Sequence, residues 1–152
     1  MAAIDLKKVY REHYTARVGK PALVDVPARP FLMIDGTGNP GTSQQYVDAI
    51  SALYPLAYGL RAAIKKMTGD GYTVMPLQGL WWVDDMSKFS VDDKDSWKWT
   101  MMICQPDLVT DELAAEVMPS VIETRELAAG HKVQLGMFGD GLAAQVMHIG
   151  PY

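Results

Sequence analysis

The sequence has few of the residues that build disulfides and metal centres. Its only cysteine, Cys104, lies in an apolar run and has no partner for an internal disulfide, which indicates a reducing compartment. The three histidines, His13, His131 and His148, share no metal-ligand spacing, so we predict no metal and no other cofactor. The Gly-x-Ser-x-Gly turn of many serine hydrolases is also absent.

Long apolar runs and excess positive charge are missing as well. No stretch approaches the roughly 18 continuous apolar residues of a membrane span, and residues 1–20 lack the apolar centre of a signal peptide. The formal net charge of -4 argues against a nucleic-acid coat protein, although residues 1–20 are mildly basic. We therefore predict a cytoplasmic globule that binds neither membrane nor nucleic acid.

The 152 residues, of which 49% are hydrophobic, suffice for one domain with a buried core. A short amphipathic helix and an extended, proline-punctuated arm are predicted over residues 1–30. A strand at 31–35 and a long helix at about 43–67 follow, with Thr42 or Ser43 as the helix cap. Pro55 lies inside this helix and predicts a kink.

The second half of the chain carries both strand and helix patterns. Pro119 could divide its helix in two, and Gly139-Asp140-Gly141 suits a tight hairpin turn. The predicted elements are strands at 73–83 and 97–104 that pair as an antiparallel hairpin, and strands at 133–138 and 142–149 that form a second hairpin. Between the two hairpins we predict a helix at 110–126 with Thr110 as its cap.

Two segments contain residue types that are typical of ligand sites. The segment Gly36-Thr37-Gly38-Asn39-Pro40-Gly41 matches the dinucleotide pattern G-x-G-x-x-G, but Pro40 removes a backbone N–H where phosphate would bind, so we interpret it as a turn. The acidic loop at 84–95 lacks the spacing of a calcium site and is interpreted as solvated.

Four tryptophans lie on the two strands of the first predicted hairpin. Adjacent Trp81 and Trp82 should point to opposite sheet faces, whereas Trp97 and Trp99 should share one. Aromatic rings supply much apolar area at little rotamer cost, which suits a flat organic ligand. Ordinary core and cross-strand packing is the alternative interpretation.

Tyr54 and Tyr58 are four residues apart on the long helix and therefore share one helical face. They could meet indole rings that project from the sheet and form an aromatic cage. A helix-on-sheet core with the phenol hydroxyls at its edge explains the same spacing.

Seven segments match one family in order across nearly the whole chain. They are Asp5-Leu6-Lys7-Lys8, Val24-Asp25-Val26-Pro27, residues 31–40, residues 52–58, Gly79-Leu80-Trp81-Trp82, Trp97-Lys98-Trp99-Thr100-Met101 and residues 145–152. With these segments the chain resembles the GyrI-like small-molecule-binding family.

The resemblance implies an α+β fold of two strand-helix-strand-strand modules, with an antiparallel sheet, helices packed on one face, and a ligand cleft between the modules. Residues 1–152 are then a single domain: helix and arm at 1–30, first module at 31–104, and linking helix and start of the second module at 105–152. The remainder of the second module is expected to lie outside this sequence. A homodimer would cover the sheet edge left exposed.

The resemblance also implies a bacterial protein that binds a hydrophobic, aromatic or cationic drug-like molecule, in toxin or xenobiotic resistance. A hydrolase of cyclopropane-bearing DNA-alkylating compounds, with a carboxylate that directs water, is the first alternative, and no glutamate can be matched to that role. A gyrase-interacting protein is the second. The predicted ligand-binding residues are Tyr54, Tyr58, Trp81, Trp82, Trp99, Met101, His148 and Tyr152.

Overall fold

Three α-helices and two antiparallel sheets make up the protein in a computed structural model, which describes residues 3–151. The α+β class predicted from the sequence is confirmed. The helices are α1 (Leu6–Val9), α2 (Gln44–Thr68) and α3 (Asp111–Arg125), and the strands are β1 (Ala22–Val26), β2 (Arg29–Thr37), β3 (Leu77–Trp82), β4 (Lys98–Cys104), β5 (Gln134–Phe138) and β6 (Gly141–Gln145). None of the helices described for residues 3–151 has the length and apolar character needed to cross a bilayer.

The larger sheet has four strands in the order β3-β4-β2-β5. On its central pair, Leu32 lies opposite Ile103 and Ile34 opposite Met101, and all four side chains are buried beneath α2. The chain order β2, α2, β3, β4 is the strand-helix-strand-strand unit expected for the first module. The predicted 73–83 and 97–104 hairpin is formed by β3 and β4.

Helix α2 begins and ends where the sequence predicts. The Ser43 hydroxyl accepts a hydrogen bond from the Tyr46 amide, and Gly69 ends the helix at φ 80°, in the left-handed region that glycine tolerates. The helix continues through Pro55. Its apolar face packs on the sheet and on α3, and the fully buried side chains along it include Leu53, Leu56 and Leu60.

Helix α3 is one element, so the expected division at Pro119 is wrong. A proline removes one backbone donor. The packing of Leu113, Ala114 and Met118 into the core on the preceding turns holds the helix in place despite that loss. The predicted cap is confirmed, because the Thr110 hydroxyl accepts from the Leu113 amide at 3.2 Å.

Glu126 at the end of α3 has left-handed backbone, with φ 52°. We therefore expect glycine to stabilise the protein at this position and to destabilise it inside the helix. Left-handed backbone costs a non-glycine residue about 1 kcal/mol or more, so Glu126→Gly should raise the free energy of unfolding by about 1 kcal/mol. Glu123→Gly, placed inside the same helix, should lower it by about 1 kcal/mol. Urea denaturation of both variants checks this prediction, and a loss of stability in Glu126→Gly would contradict it.

The second predicted hairpin is wrong, because β5 and β6 lie in different sheets. Strand β5 pairs with β2, and β6 pairs with β1 in the two-stranded sheet. Gly139 and Asp140 therefore carry the chain from one sheet to the other. A Cβ at Gly139 would lie 2.5 Å from the Ala28 backbone nitrogen, so the crossing requires glycine beside the β1–β2 connection. The arm before β2, expected as extended, contains β1.

Candidate ligand-binding site

The four-stranded sheet has a second face, directed away from α2, with an open groove. Leu32 and Ile34 point to the helices, so their neighbours Met33 and Asp35 point to the groove. Leu80 of β3 and Thr100 of β4 lie opposite each other on the same face. The groove encloses about 510 Å³ and is bordered on the β5 side by Gly136 and Phe138, among others.

The groove is amphipathic, because Asp35, Thr100, Lys132 and Gln134 line it beside the apolar side chains. The Thr100 hydroxyl, itself buried, donates a 2.5 Å hydrogen bond to Asp35 Oδ1. Asp35 is exposed, and Lys132 lies at the rim on the β5 side. The hydroxyl that holds one carboxylate oxygen restricts the orientation of the carboxylate, so Asp35 can present a negative charge to a ligand seated on the apolar side chains.

A second cavity, of about 220 Å³, lies between the two sheets. Val24 and Ala143 contribute from the two-stranded sheet, and Phe31 and Gln78 from the four-stranded sheet. Phe138 borders both this cavity and the groove, so the two spaces are neighbours.

Arg29 is the buried charged group of this cavity, only 8% exposed, whereas the carboxylate of Asp140 on the same lining is exposed. Its Nη2 atom lies 2.8 Å from His13 Nδ1, and its guanidinium carbon lies 3.6 Å from the centre of the Tyr10 ring. Within the described residues no carboxylate forms an ion pair with it. The cavity therefore holds a buried positive charge.

Tyr14 and Cys104 stand near this charge. The Tyr14 hydroxyl donates to Gln78 Oε1 at 2.8 Å. Burial raises the pKa of the Tyr14 hydroxyl, and the nearby Cys104 raises it further, while Arg29 opposes the shift. Burial also raises the pKa of the Cys104 thiol, again against the effect of Arg29. Both groups are therefore neutral at physiological pH, and neither is an activated nucleophile.

Several predicted site residues lie on the helix side of the sheet. Trp81 and Trp99 are opposite each other on β3 and β4, and Tyr46 of α2 meets both rings, at centroid distances of 6.0 and 5.4 Å. Trp99 and Met101 are buried in the core. The sequence prediction did not include Tyr46, although its position in the first turn of α2 sets it against these indoles.

The remaining predicted residues are dispersed. Trp82 points to the groove side, since it alternates with Trp81. Tyr54 is partly buried on α2, and Tyr58 is 56% exposed beside α3, both across the sheet from the groove. His148 is exposed beyond β6, and Tyr152 lies outside the described residues. The described members of this set therefore lie on both faces of the sheet and beyond β6, and the structure does not bring them together in one pocket.

The groove and the cavity contain side chains that the sequence did not single out. They are Met33, Asp35, Leu80, Thr100 and Phe138 in the groove and Tyr14, Arg29, Phe31 and Gln78 in the cavity. Across residues 3–151, histidine, cysteine, aspartate and glutamate side chains form no group of three that could hold a metal ion.

An α+β fold that buries one sheet face under helices and leaves an amphipathic groove on the other can accommodate a small organic ligand. Residues 19–152 match the model of the GyrI-like small molecule binding domain, and the chain belongs to this family.

Solved structures agree with this assignment. The chain is 33% identical to an uncharacterized conserved protein from Listeria innocua, with a TM-score of 0.88 over 98% of this chain and 73% of that one. Two further structures, both of a hydrolase from Listeria innocua, are also 33% identical. Their TM-scores are 0.82 and 0.86, over 98% and 99% of this chain and 72% and 73% of those chains. None of the curated proteins compared with the chain matches it.

Proposed function

We propose that the groove binds a planar, amphipathic organic molecule that carries a positive charge, as expected of a protein in xenobiotic resistance. The observation that carries this proposal is the combination of an apolar floor with the fixed carboxylate of Asp35. Met33, Leu80 and Phe138 offer apolar surface to a ring system, and each well-placed ring contributes through burial of its area.

Asp35 is the group that would select charge. Thr100 donates to Oδ1, and residues 3–151 make no hydrogen bond to Oδ2, which leaves that oxygen for a ligand cation. Lys132 at the rim acts in the opposite direction because its ammonium repels a cation. Since both charges are exposed to water, each should change affinity only by about 1 kcal/mol or less.

A matched titration tests this proposal. Proflavine is a planar cation, and 2-aminofluorene is a neutral ring system of similar size. We expect Leu80→Ala to weaken both by about tenfold, because apolar contact is lost. Asp35→Asn should weaken proflavine alone by about threefold, and Lys132→Gln should strengthen it by a similar factor. Ligand fluorescence and isothermal titration calorimetry give the dissociation constants.

Tyr58→Ala is the control for this experiment, since Tyr58 is exposed on the far side of the sheet from the groove. It should leave the affinity for both ligands unchanged. An equal loss of affinity for proflavine and for 2-aminofluorene in Asp35→Asn would contradict the role of the carboxylate. If Tyr58→Ala weakened binding and Leu80→Ala did not, the ligand would lie on the face of the sheet covered by α2.

Hydrolysis is the second candidate function, favoured by the similarity to two structures of a hydrolase from Listeria innocua. Glutamate is absent from the described lining of the groove, so Asp35 is the carboxylate that would direct water. With a cyclopropane-bearing alkylator, the water oxygen would form a new bond to a ring carbon as the carbon–carbon bond breaks. The water proton would pass through the carboxylate to the released carbon. Mass spectrometry should then detect a water adduct with the parent protein and none with Asp35→Asn. Recovery of the unchanged compound from the parent protein would mean that the groove binds it without hydrolysing it.

A further inference from the structure

We infer that the 220 Å³ cavity between the two sheets is a separate binding site for a small aromatic carboxylate. This site takes a ligand of opposite charge to the one proposed for the groove, and it does not depend on that proposal. The inference rests on Arg29, on the hydrogen-bond groups beside it, and on the apolar walls around it.

The first step is the unbalanced charge of Arg29. Removing a guanidinium from water is strongly unfavourable unless an anion or a set of hydrogen bonds replaces the lost hydration. Arg29 is only 8% exposed, and its polar contacts are the Nδ1 atom of His13 and the face of the Tyr10 ring. No carboxylate among residues 3–151 pairs with it. A bound anion would supply the missing partner.

The second step is the number of free donors. Arginine has five N–H groups and no acceptor, so His13 Nδ1 must accept from Nη2. One such bond leaves donors of the planar guanidinium for a carboxylate, which can accept two parallel hydrogen bonds from it. Gln78 uses its carbonyl oxygen to accept from Tyr14, so its amide N–H₂ remains as a donor that lines the same cavity.

The third step is the shape and polarity of the remaining wall. Val24, Phe31, Phe138 and Ala143 offer apolar surface, and a space of about 220 Å³ suits a single aromatic ring better than a large ligand. Asp140, a carboxylate on the lining, is exposed, so water weakens its repulsion of an anion.

Three ligands of nearly equal shape test the charge preference. Benzoate, benzamide and benzylamine would each be titrated into the full chain labelled with ¹⁵N, following the Gln78 side-chain amide and the Arg29 Nε–H by NMR. We expect benzoate to bind and to shift both signals, benzamide to bind at least fivefold more weakly, and benzylamine not to bind. The inference would be overturned if benzylamine bound as tightly as benzoate, or if benzoate did not bind at millimolar concentration.

Two cavity variants and one groove variant locate the site. Arg29→Gln should weaken benzoate at least tenfold and change benzamide less than twofold. Ala143→Leu should exclude both ligands, because it fills the cavity and leaves the charge in place. Lys132→Gln removes a cation from the neighbouring groove and should leave benzoate unchanged. Loss of benzoate in Lys132→Gln but not in Arg29→Gln would overturn the inference.

Circular dichroism shows whether each variant is folded. If Arg29→Gln does not fold, the decision passes to Ala143→Leu: retained benzoate binding overturns the inference, and its loss supports it. Proflavine titrated into Ala143→Leu separates the two proposals. Proflavine binding should persist when benzoate binding is lost, so failure of one site is distinguishable from failure of the other.

Discussion

Replacing Gly36 with alanine should lower the free energy of unfolding by about 2–3 kcal/mol. A Cβ at this position would lie 2.1 Å from Trp99 Cη2 and 2.4 Å from Cζ2, far closer than carbon atoms approach each other. The ring of Trp99 cannot move away freely, because it is fully buried and meets Tyr46 edge-on at 5.4 Å. Urea denaturation followed by circular dichroism measures the loss.

Gly71 provides the matched control. The nearest atom to a Cβ there is Arg61 Nη2 at 3.7 Å, an ordinary contact. Gly71→Ala should therefore leave stability unchanged or raise it by up to about 1 kcal/mol. In the double variant Gly36→Ala/Trp99→Leu, the cost of the added methyl should be smaller than in Gly36→Ala alone, since the smaller side chain frees space. Equal destabilisation by Gly36→Ala and Gly71→Ala would contradict the steric explanation.

Local signals in the sequence predicted the helices and five of the six strands, all except β1. Ser43 and Thr110 cap α2 and α3 because their hydroxyls replace hydrogen-bond partners that the first helical turn lacks. Apolar runs located the strands β2, β3 and β4. These features depend on neighbours within a few residues, so a single chain reveals them.

Strand partners and sheet faces were harder to predict. Gly139 and Asp140 look like a hairpin turn, but the chain between β5 and β6 crosses from one sheet to the other, and the choice depends on β1 and β2, more than a hundred residues earlier. Alternation places Trp81 and Trp82 on opposite faces of β3. It did not reveal which of them faced α2, because both sheet faces carry apolar side chains.

The candidate site was missed for a related reason. Asp35 and Thr100 are 65 residues apart in sequence and meet only through the pairing of β2 with β4. Arg29 begins β2, and its partner His13 belongs to the arm. A charged residue directly before an apolar strand was the one local signal, and it did not indicate burial. The tyrosines of α2 have the spacing of a cage, but the sheet separates them from the groove.

Trp99→Ala should cost about 3–5 kcal/mol of stability, the range for removing a large buried aromatic side chain. The loss comes from packing, because Trp99 Nε1 is buried without a hydrogen-bond partner in the described chain. Trp82→Ala should cost only about 1 kcal/mol, since Trp82 is partly exposed. Thermal and urea unfolding of the two variants, with Trp99→Phe as a milder change of the same site, measure the difference.

The effects on ligand affinity should be the reverse of the effects on stability. A change at Trp82 should weaken binding, and a change at Trp99 should not. Trp82 follows Leu80 on the groove side of β3, so Trp82→Ala should weaken proflavine by about threefold, through lost apolar contact. Trp99 lies beneath α2 on the other face, and the folded fraction of Trp99→Phe should bind proflavine as tightly as the parent. A loss of affinity in Trp99→Phe together with unchanged stability would mean that the indoles under α2 contact the ligand. The binding site would then be the aromatic cluster of Tyr46, Trp81 and Trp99, and not the groove.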